Sequence, residues 1–171
     1  MLKHYRLKDY VDFDGPIKFQ SIESDIRRDR NRFLRRGSLE DRCIFYIALT
    51  PTFFKYGVTA DIKSRLRIQG MHNDKYLTLQ PLIEDSRLNI ANLEASIKYQ
   101  FGGHEYLSRH DMKKFFEVLK SNLEDIDDKQ FADLAVFKFE CPYCGNKMNI
   151  KITNYLDKPV DCDNCHNTIV E

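Results

Sequence analysis

The stretch "FYIALTPTFFKYGVTADIKSRL", residues 45–66, carries the clearest fold signal in the chain. Two runs of apolar, β-branched and aromatic residues meet at a Thr-Pro-Thr turn, which predicts strands at about 43–50 and 53–59. A Lys- and Arg-rich segment follows Gly57 closely, and we predict a helix over about 60–69. A purely structural β-β-α unit needs neither tyrosines nor so many cations, whereas a site that handles phosphate can use both.

The alternation of side chains along these strands separates an apolar face from a polar one. Because successive strand residues point to opposite faces, the apolar side chains are expected to pack inward. The Tyr46 hydroxyl and the Lys55 ammonium are then the polar groups on the other face, and they lie near one another if the strands form a hairpin. On the following helix Lys63 and Arg67 share one side, and Arg65 is offset toward the end of the sheet.

Composition predicts a folded, soluble chain without favouring a polyanionic partner. The 171 residues include 42% hydrophobic and 31% charged residues, and the formal net charge is +1. The arginine-rich run "RRDRNRFLRR" at 27–36 is either a solvated helix face or an electrostatic footprint for a phosphate backbone, with Arg27 and Arg28 as candidate contacts. The chain contains no apolar run near about 18 residues and no signal-peptide pattern, so we expect a cytoplasmic protein with no membrane partner.

The C-terminal stretch holds two CxxC pairs separated by 17 residues. The four cysteines are Cys141, Cys144, Cys162 and Cys165. Four thiolates at about 2.3 Å complete a tetrahedral Zn(II) shell with no position left for substrate, so the pattern predicts a structural zinc. Two disulfides or free thiols are the alternatives. The intervening residues alternate as a β-hairpin would, and the segment resembles a zinc ribbon.

The remaining chain is expected to add helices and one further strand to the sheet. The patterns predict a basic helix at 21–37, a strand at 76–85, and amphipathic helices at 89–101 and 108–123. We therefore predict an α/β (α+β) fold with a small three-stranded antiparallel sheet flanked by helices, plus a small zinc-ribbon β module. The predicted domains are a charged N-terminal arm with a basic helix (1–42), a core (43–122), an acidic connector (123–135) and the ribbon (136–171).

The core resembles the GIY-YIG nuclease superfamily over about residues 43–120. The segment "CIFYIAL" stands where that family has its first motif strand, and "KYGVT" stands where the second carries Tyr-Ile-Gly. Arg65 falls eight residues after Gly57, as the family's helix arginine does, and Glu94 in "NLEASIKYQF" matches its glutamate on a later helix. The segment "HEYL" is similar to the branch found in phage and mobile-element proteins.

The motifs depart from the family pattern at three positions. Gln69 stands where a His or Tyr often lies one turn after the arginine, although His72 is close by. Cys43 replaces the first glycine in one register, and Lys55 replaces the second tyrosine, as it does in the phage branch. Phe45 and Tyr46 both fit the place of the first tyrosine. Strand alternation and the hydroxyl group favour Tyr46.

The resemblance implies a metal-dependent endonuclease that hydrolyses phosphodiester bonds in double-stranded DNA. Glu94 would hold Mg(II) or Mn(II), Tyr46 would help to deprotonate the attacking water beside Lys55, and Arg65 would hold the scissile phosphate. The candidate DNA contacts are Arg27, Arg28, Lys63, Arg67 and His72. The zinc ribbon would assist DNA binding or contact a protein partner, and the chain would be encoded by a phage or mobile element.

Two other functions fit the same sequence. The altered motifs at Cys43 and Lys55 fit a module that keeps the fold, binds DNA or protein, and has lost cleavage. A zinc-ribbon adaptor that uses the core only as a scaffold is the other alternative. At the level of single residues, Tyr46 can be an ordinary strand residue, Arg65 a solvated helix residue and Lys55 an edge protector.

Overall fold

The chain folds as an α+β protein, as predicted, with a four-stranded antiparallel sheet and packed helices. The computed structural model describes residues 6–7, 21–65, 76–124, 126–152 and 158–171. The strands are β1 (Arg6–Leu7), β2 (Arg42–Leu49), β3 (Phe53–Thr59), β4 (Thr78–Ser86), β5 (Tyr106–Ser108), β6 (Leu123–Glu124), β7 (Val136–Glu140), β8 (Lys147–Lys151), β9 (Val160–Asp161) and β10 (Thr168–Val170). The helices are α1 (Ser21–Leu34), α2 (Arg87–Gln100), α3 (Met112–Ser121) and α4 (Asp128–Leu134).

The central sheet has the strand order β4-β2-β3-β5. The predicted hairpin is confirmed, and its turn closes through Thr50, whose backbone N–H donates to the Phe53 carbonyl at 2.9 Å and whose hydroxyl accepts from the Phe53 N–H at 3.0 Å. The sheet has one strand more than predicted because β5 pairs with β3, with Lys55 opposite Tyr106. Edge strand β4 carries an irregularity where Pro81 pairs with Tyr46, since proline cannot donate to the ladder.

The apolar face of the hairpin packs against α2 and α3. The ring of Phe115 on α3 lies at the centre, 6.3 Å from the Phe45 ring, 5.3 Å from Phe54 and 5.4 Å from Tyr56. These four side chains are fully buried, so the predicted alternation is confirmed on this face. The opposite face bears a small cluster of Tyr46, Ala48 and Leu79.

Helix α1 packs against α2 and so belongs to the same body as the sheet. Ile26 is buried against Ala95 of α2. The Arg30 guanidinium donates to Asn92 Oδ1 at 2.7 Å, and Arg87 donates to the Phe33 carbonyl at 3.0 Å. These contacts fix which side of α1 faces the sheet.

The cysteine-rich end shares the hydrophobic core of the sheet. Phe137 on β7 contacts Phe116 on α3, with ring centroids 6.0 Å apart. The side chain of Gln80 on β4 bridges to β7, since it donates to the Val136 carbonyl at 2.7 Å and accepts from the Lys138 N–H at 2.9 Å. The described segments contain no helix long and apolar enough to cross a membrane.

Candidate functional site

A polar cavity of about 300 Å³ lies beside β2 and β3, lined by residues within both strands. Its lining residues are Asp29, Arg32, Phe33, Arg36, Tyr46, Lys55, Gly57, Val58, Arg65, Glu94, Lys98 and Glu105. The four residues predicted as catalytic are therefore brought to one cavity from β2, β3, the helical segment 62–65 and α2. Five of the lining side chains are cationic and three are carboxylates, which leaves a formal excess of two positive charges.

Tyr46 presents a buried phenol to this cavity. Its side chain is 1% exposed, and Tyr46 pairs with Gly57 across the hairpin. Burial raises the pKa of Tyr46 to about 12, although the Arg65 charge acts in the opposite direction. At pH 7 only about one phenol in 10⁵ is therefore ionised, and Tyr46 is a neutral hydroxyl in the resting protein.

Gly57 leaves the room that the Tyr46 side chain occupies. A Cβ atom at position 57 would lie 2.7 Å from the Tyr46 Oη atom and 2.9 Å from its Cζ atom, well inside van der Waals contact. The φ angle of Gly57 is not among the positive ones, so the glycine is required by space and not by backbone conformation.

Glu94 lies at the inner wall of the cavity in a cluster of opposite charges. The Lys98 Nζ atom is 2.9 Å from a Glu94 carboxylate oxygen, 2.5 Å from Glu105 and 3.7 Å from Asp29. Burial raises the pKa of Glu94 while Lys98 opposes that rise. Burial works against the charge of Lys98, but its carboxylate neighbours outweigh that effect and raise its pKa, so the ammonium persists at neutral pH.

Lys55 and Arg65 flank the phenol from two different elements. The Lys55 Nζ atom lies over the Tyr106 ring, 5.1 Å from its centroid. Arg65 lies in a helical segment that begins after Asp61, whose carboxylate accepts from the backbone N–H groups of Lys63 at 3.0 Å and Ser64 at 3.2 Å. This cap, readable in "TADIKSR", sets the direction of the segment that carries Arg65.

Those predicted DNA contacts that the structure describes do not line the cavity. Arg28 is exposed and pairs with Asp25 at 3.3 Å, and Lys63 is exposed on the helical segment. Neither these two residues nor Arg27 line the cavity. Arg67 and His72 lie outside the described residues.

Five of the charged lining residues were not named as site residues in the sequence analysis. Asp29, Arg32 and Arg36 come from the N-terminal segment, and Lys98 and Glu105 surround Glu94. Two signals were available in the sequence. Lys98 follows Glu94 by one helical turn, and Arg32 precedes Arg36 by the same interval.

The four cysteine sulfurs form a site that can hold one metal ion and is compatible with structural zinc. All four Sγ atoms lie within 4.8 Å of one another. The Cys141–Cys165 sulfurs are 3.7 Å apart and the Cys144–Cys162 sulfurs 3.6 Å apart. A tetrahedral zinc with bonds of about 2.3 Å requires sulfurs about 3.8 Å apart, so the donor set fits that ion.

The two cysteine loops have the same local geometry. The Gly145 N–H donates to the Cys141 carbonyl at 2.8 Å, and the His166 N–H donates to the Cys162 carbonyl at 2.9 Å. Gly145 has φ +73° and His166 has φ +61°, so a histidine occupies the left-handed conformation that glycine adopts in the first loop.

Backbone hydrogen bonds also prepare the sulfurs for a cation. The Tyr143 N–H donates to the Cys141 sulfur and the Asn164 N–H to the Cys162 sulfur, each at 3.4 Å. Such N–H groups lower the pKa of Cys162 to about 6, whereas burial raises the pKa of Cys141 to about 11. Deprotonated cysteine is the form that binds metal.

Fold and site together define an α+β protein with a charged cavity on its sheet and a cluster of four cysteines at its C-terminal end that can hold a metal ion. No protein-family model matches this chain, and no curated protein or solved structure shows significant similarity to it. The GIY-YIG resemblance stays a prediction that rests on the sequence motifs.

Proposed function

We propose that this protein is a metal-dependent endonuclease that hydrolyses phosphodiester bonds in DNA at the cavity beside β2 and β3. The observation that carries the proposal is the convergence of Tyr46, Lys55, Arg65 and Glu94 on one cavity. They come from four separate segments, and a chain that used them only as surface residues would have no reason to gather them. A positively charged, polar cavity also suits a phosphodiester better than an apolar ligand.

Each side chain can be given a role that its environment supports. Arg65 offers two parallel N–H donors to the scissile phosphate and offsets the charge that develops on it. Tyr46 is neutral at pH 7, so its hydroxyl would first lose its proton to solvent; the phenolate would then take a proton from the attacking water as the new P–O bond forms and the bond to the leaving oxygen breaks. Lys55, as a second cation at the same cavity, favours that proton transfer.

The oxygen donors present suit a hard divalent cation. Glu94, with Glu105 nearby, would hold Mg(II) or Mn(II). The bound ion would supply positive charge to the leaving oxygen. Three carboxylates share Lys98, so the cluster retains negative charge for a cation even with that lysine in place.

One observation favours a non-catalytic binding module as the second candidate. The Lys98 ammonium lies 2.9 Å from a Glu94 oxygen, a position that competes with a metal ion at the same atom. A chain in which lysine permanently replaced the metal would keep the cationic cavity and bind nucleic acid without cleaving it.

For the C-terminal module we propose a structural zinc and a role in DNA or partner binding. The shared core and the Gln80 bridge attach the module to β4, so a ligand that spans both parts would meet one rigid surface.

Plasmid cleavage with a matched pair of glutamate variants tests the nuclease proposal. Supercoiled plasmid is incubated with Mg(II) and either wild type, Glu94→Gln or Glu117→Gln, an exposed glutamate on α3 away from the cavity. We expect nicking by wild type and Glu117→Gln, and a loss of about 100-fold or more in Glu94→Gln.

Each other outcome selects a different function. Nicking that survives in Glu94→Gln contradicts the assignment of this site. Retention of DNA without nicking, weakened by salt, selects the binding module. A protein that neither nicks nor retains DNA at low salt acts as the adaptor.

A further inference from the structure

We propose that α1 supplies a second phosphate-binding site, in which Arg32 and Arg36 hold the backbone phosphate next to the one at Arg65. The inference rests on the proposed function, because it takes nucleic acid as the ligand of the cavity. It goes beyond the family resemblance, which begins at about residue 43 and assigns nothing to α1. It also makes the N-terminal helix part of the binding surface.

The spacing places the two arginines along one stripe, with Arg32 in the last turn of α1 and Arg36 in the turn that follows the helix. Asp29, Arg32 and Arg36 follow one another at intervals of three and four residues, and all three line the cavity. Arg36 lies just beyond the last helical residue of α1 and keeps this line. The stripe therefore faces the same cavity that receives Tyr46 and Arg65.

The tertiary contacts of α1 hold this stripe in place. Ile26 and Phe33 are buried, and the Arg30–Asn92 hydrogen bond at 2.7 Å joins α1 to α2. Arg87, with a side chain only 5% exposed, donates to the Phe33 carbonyl at 3.0 Å one turn before Arg36. Rotation of α1 that removed the arginines from the cavity would break all of these contacts.

The electrostatics of the cavity leave the two guanidinium groups available for an anion. Within the described part of the chain, neither Arg32 nor Arg36 forms an ion pair, and both side chains are exposed. The carboxylates that line the same cavity are gathered around Lys98 instead. The excess positive charge thus lies on the α1 side and at Arg65, where planar guanidinium donors match phosphate oxygens.

Arg28 on the same helix provides a matched comparison. It has the same charge, but it pairs with Asp25 at 3.3 Å and approaches Asp29 at 3.7 Å, and it does not line the cavity. The geometry therefore favours Arg32 and Arg36 over Arg28 as phosphate contacts, although the sequence analysis singled out Arg28 from the same arginine-rich run.

Salt-dependent DNA binding separates the two kinds of arginine. The affinity of the full chain for a fluorescent DNA duplex is measured over a range of salt concentrations without added Mg(II). The variants are Arg32→Gln, Arg36→Gln, their double variant and Arg28→Gln. We expect each cavity arginine to contribute between about tenfold and a hundredfold in affinity. The double variant should lower the slope of log K against log salt by about two.

Conservative variants add a readout that loss of folding cannot imitate. Arg32→Lys/Arg36→Lys keeps both charges, so it should retain most of the salt slope while losing affinity with the guanidinium fork. If wild type also cleaves, Arg32→Gln/Arg36→Gln should raise KM far more than it lowers kcat.

The possible failures are distinguishable. If wild type binds DNA and the double variant has the same affinity and salt slope as Arg28→Gln, this inference is overturned and the proposed function still stands. Wild type that fails to retain DNA at low salt overturns both. A structural role for the arginines would appear as a different pattern. The double variant would then melt several degrees below wild type, and the lysine variant would restore both the melting temperature and the full affinity. That result would overturn the inference.

Discussion

The cysteine centre and the charged cavity differ in how the chain assembles them. The four sulfurs come from two short loops of the same local geometry, each closed by its own backbone hydrogen bond. The cavity takes residues from α1, β2, β3, the segment 62–65, α2 and the residues before β5. A site built from local turns depends on a few backbone angles, whereas a distributed site depends on how every contributing element packs.

This difference determines what each site contributes to the fold. A metal at the cysteines would hold the C-terminal strands together directly. It would also stabilise the core of the sheet, because Phe137 on β7 packs against Phe116 on α3. The cavity gathers charged groups that the packing must support, among them buried Lys98 and partly buried Glu94. We therefore expect loss of the metal to cost more stability than any single change at the cavity.

Metal loss is the largest effect that we predict. Cys162→Ser should abolish binding of one metal per chain and unfold the C-terminal strands, since a structural zinc contributes on the order of 10–16 kcal/mol in small modules. Because the core is shared, the melting temperature of the whole chain should also fall. The measurements are metal content by atomic spectroscopy and unfolding by circular dichroism.

Cys43→Ala is the matched control, because Cys43 is fully buried in the sheet and lies outside the metal centre. It should keep one metal per chain and most of the stability. If the Cys162→Ser protein lacks metal but has the melting temperature of wild type, the cysteines do not support the fold.

The same comparison explains how far the sequence predicts each site. The CxxC spacing is a local rule, and it predicted all four sulfurs that converge in the structure. Strand alternation is also local, so it placed Tyr46 and Lys55 on one face of the hairpin. Arg65 and Glu94, in contrast, were predicted only through the family resemblance, since no local pattern assigns them to the site.

The missed features depend on contacts between distant segments. The orientation of α1 is set by Arg30 with Asn92 and by Arg87 with the Phe33 carbonyl, pairs more than 50 residues apart that no local pattern encodes. Strand β5 has only three residues, too few for a period-two pattern to appear. The sequence therefore could not assign Arg32 and Arg36 to the cavity or predict the fourth strand.

The buried phenol of the cavity should make stability fall at alkaline pH. The pKa of Tyr46 is raised to about 12 in the folded protein, against an ordinary value of about 10 in the unfolded chain. As pH rises through this window, the tyrosine of the unfolded state loses its proton before that of the folded state. The free energy of unfolding should therefore fall by up to about 2.7 kcal/mol between pH 10 and pH 12. Tyr46→Phe should therefore show a shallower decline in the free energy of unfolding, measured by urea titration at several pH values.

Part of the decline should remain in this variant. Tyr56 is also fully buried, its hydroxyl donates to the His104 carbonyl at 2.6 Å, and burial raises its pKa as well. Tyr99→Phe, at an exposed position on α2, is the control and should follow wild type. Identical pH dependence in wild type and Tyr46→Phe would mean that the Tyr46 hydroxyl is open to water.

The smallest predicted effects come from two glycines, one at each site, that are needed for different reasons. Gly57→Ala places a Cβ atom 2.7 Å from the buried Tyr46 hydroxyl, and we expect a loss of about 1–3 kcal/mol from overpacking. Gly145→Ala meets nothing within 4 Å but must hold φ +73°, which costs about 1–2 kcal/mol. Urea unfolding of each variant measures the two losses.

A double-mutant cycle with Tyr46→Phe separates steric crowding from backbone strain. Removal of the Tyr46 hydroxyl eliminates the shortest contact with the new Cβ, so Gly57→Ala should cost less in the Tyr46→Phe background than in wild type. Gly145→Ala should cost the same in both backgrounds, because its cost lies in its own φ angle. Additive behaviour at Gly57 would contradict the close approach of the phenol, and with it the placement of the Tyr46 hydroxyl at the cavity. The cycle therefore tests the distributed site directly, while Gly145 reports the local geometry of the cysteine loop.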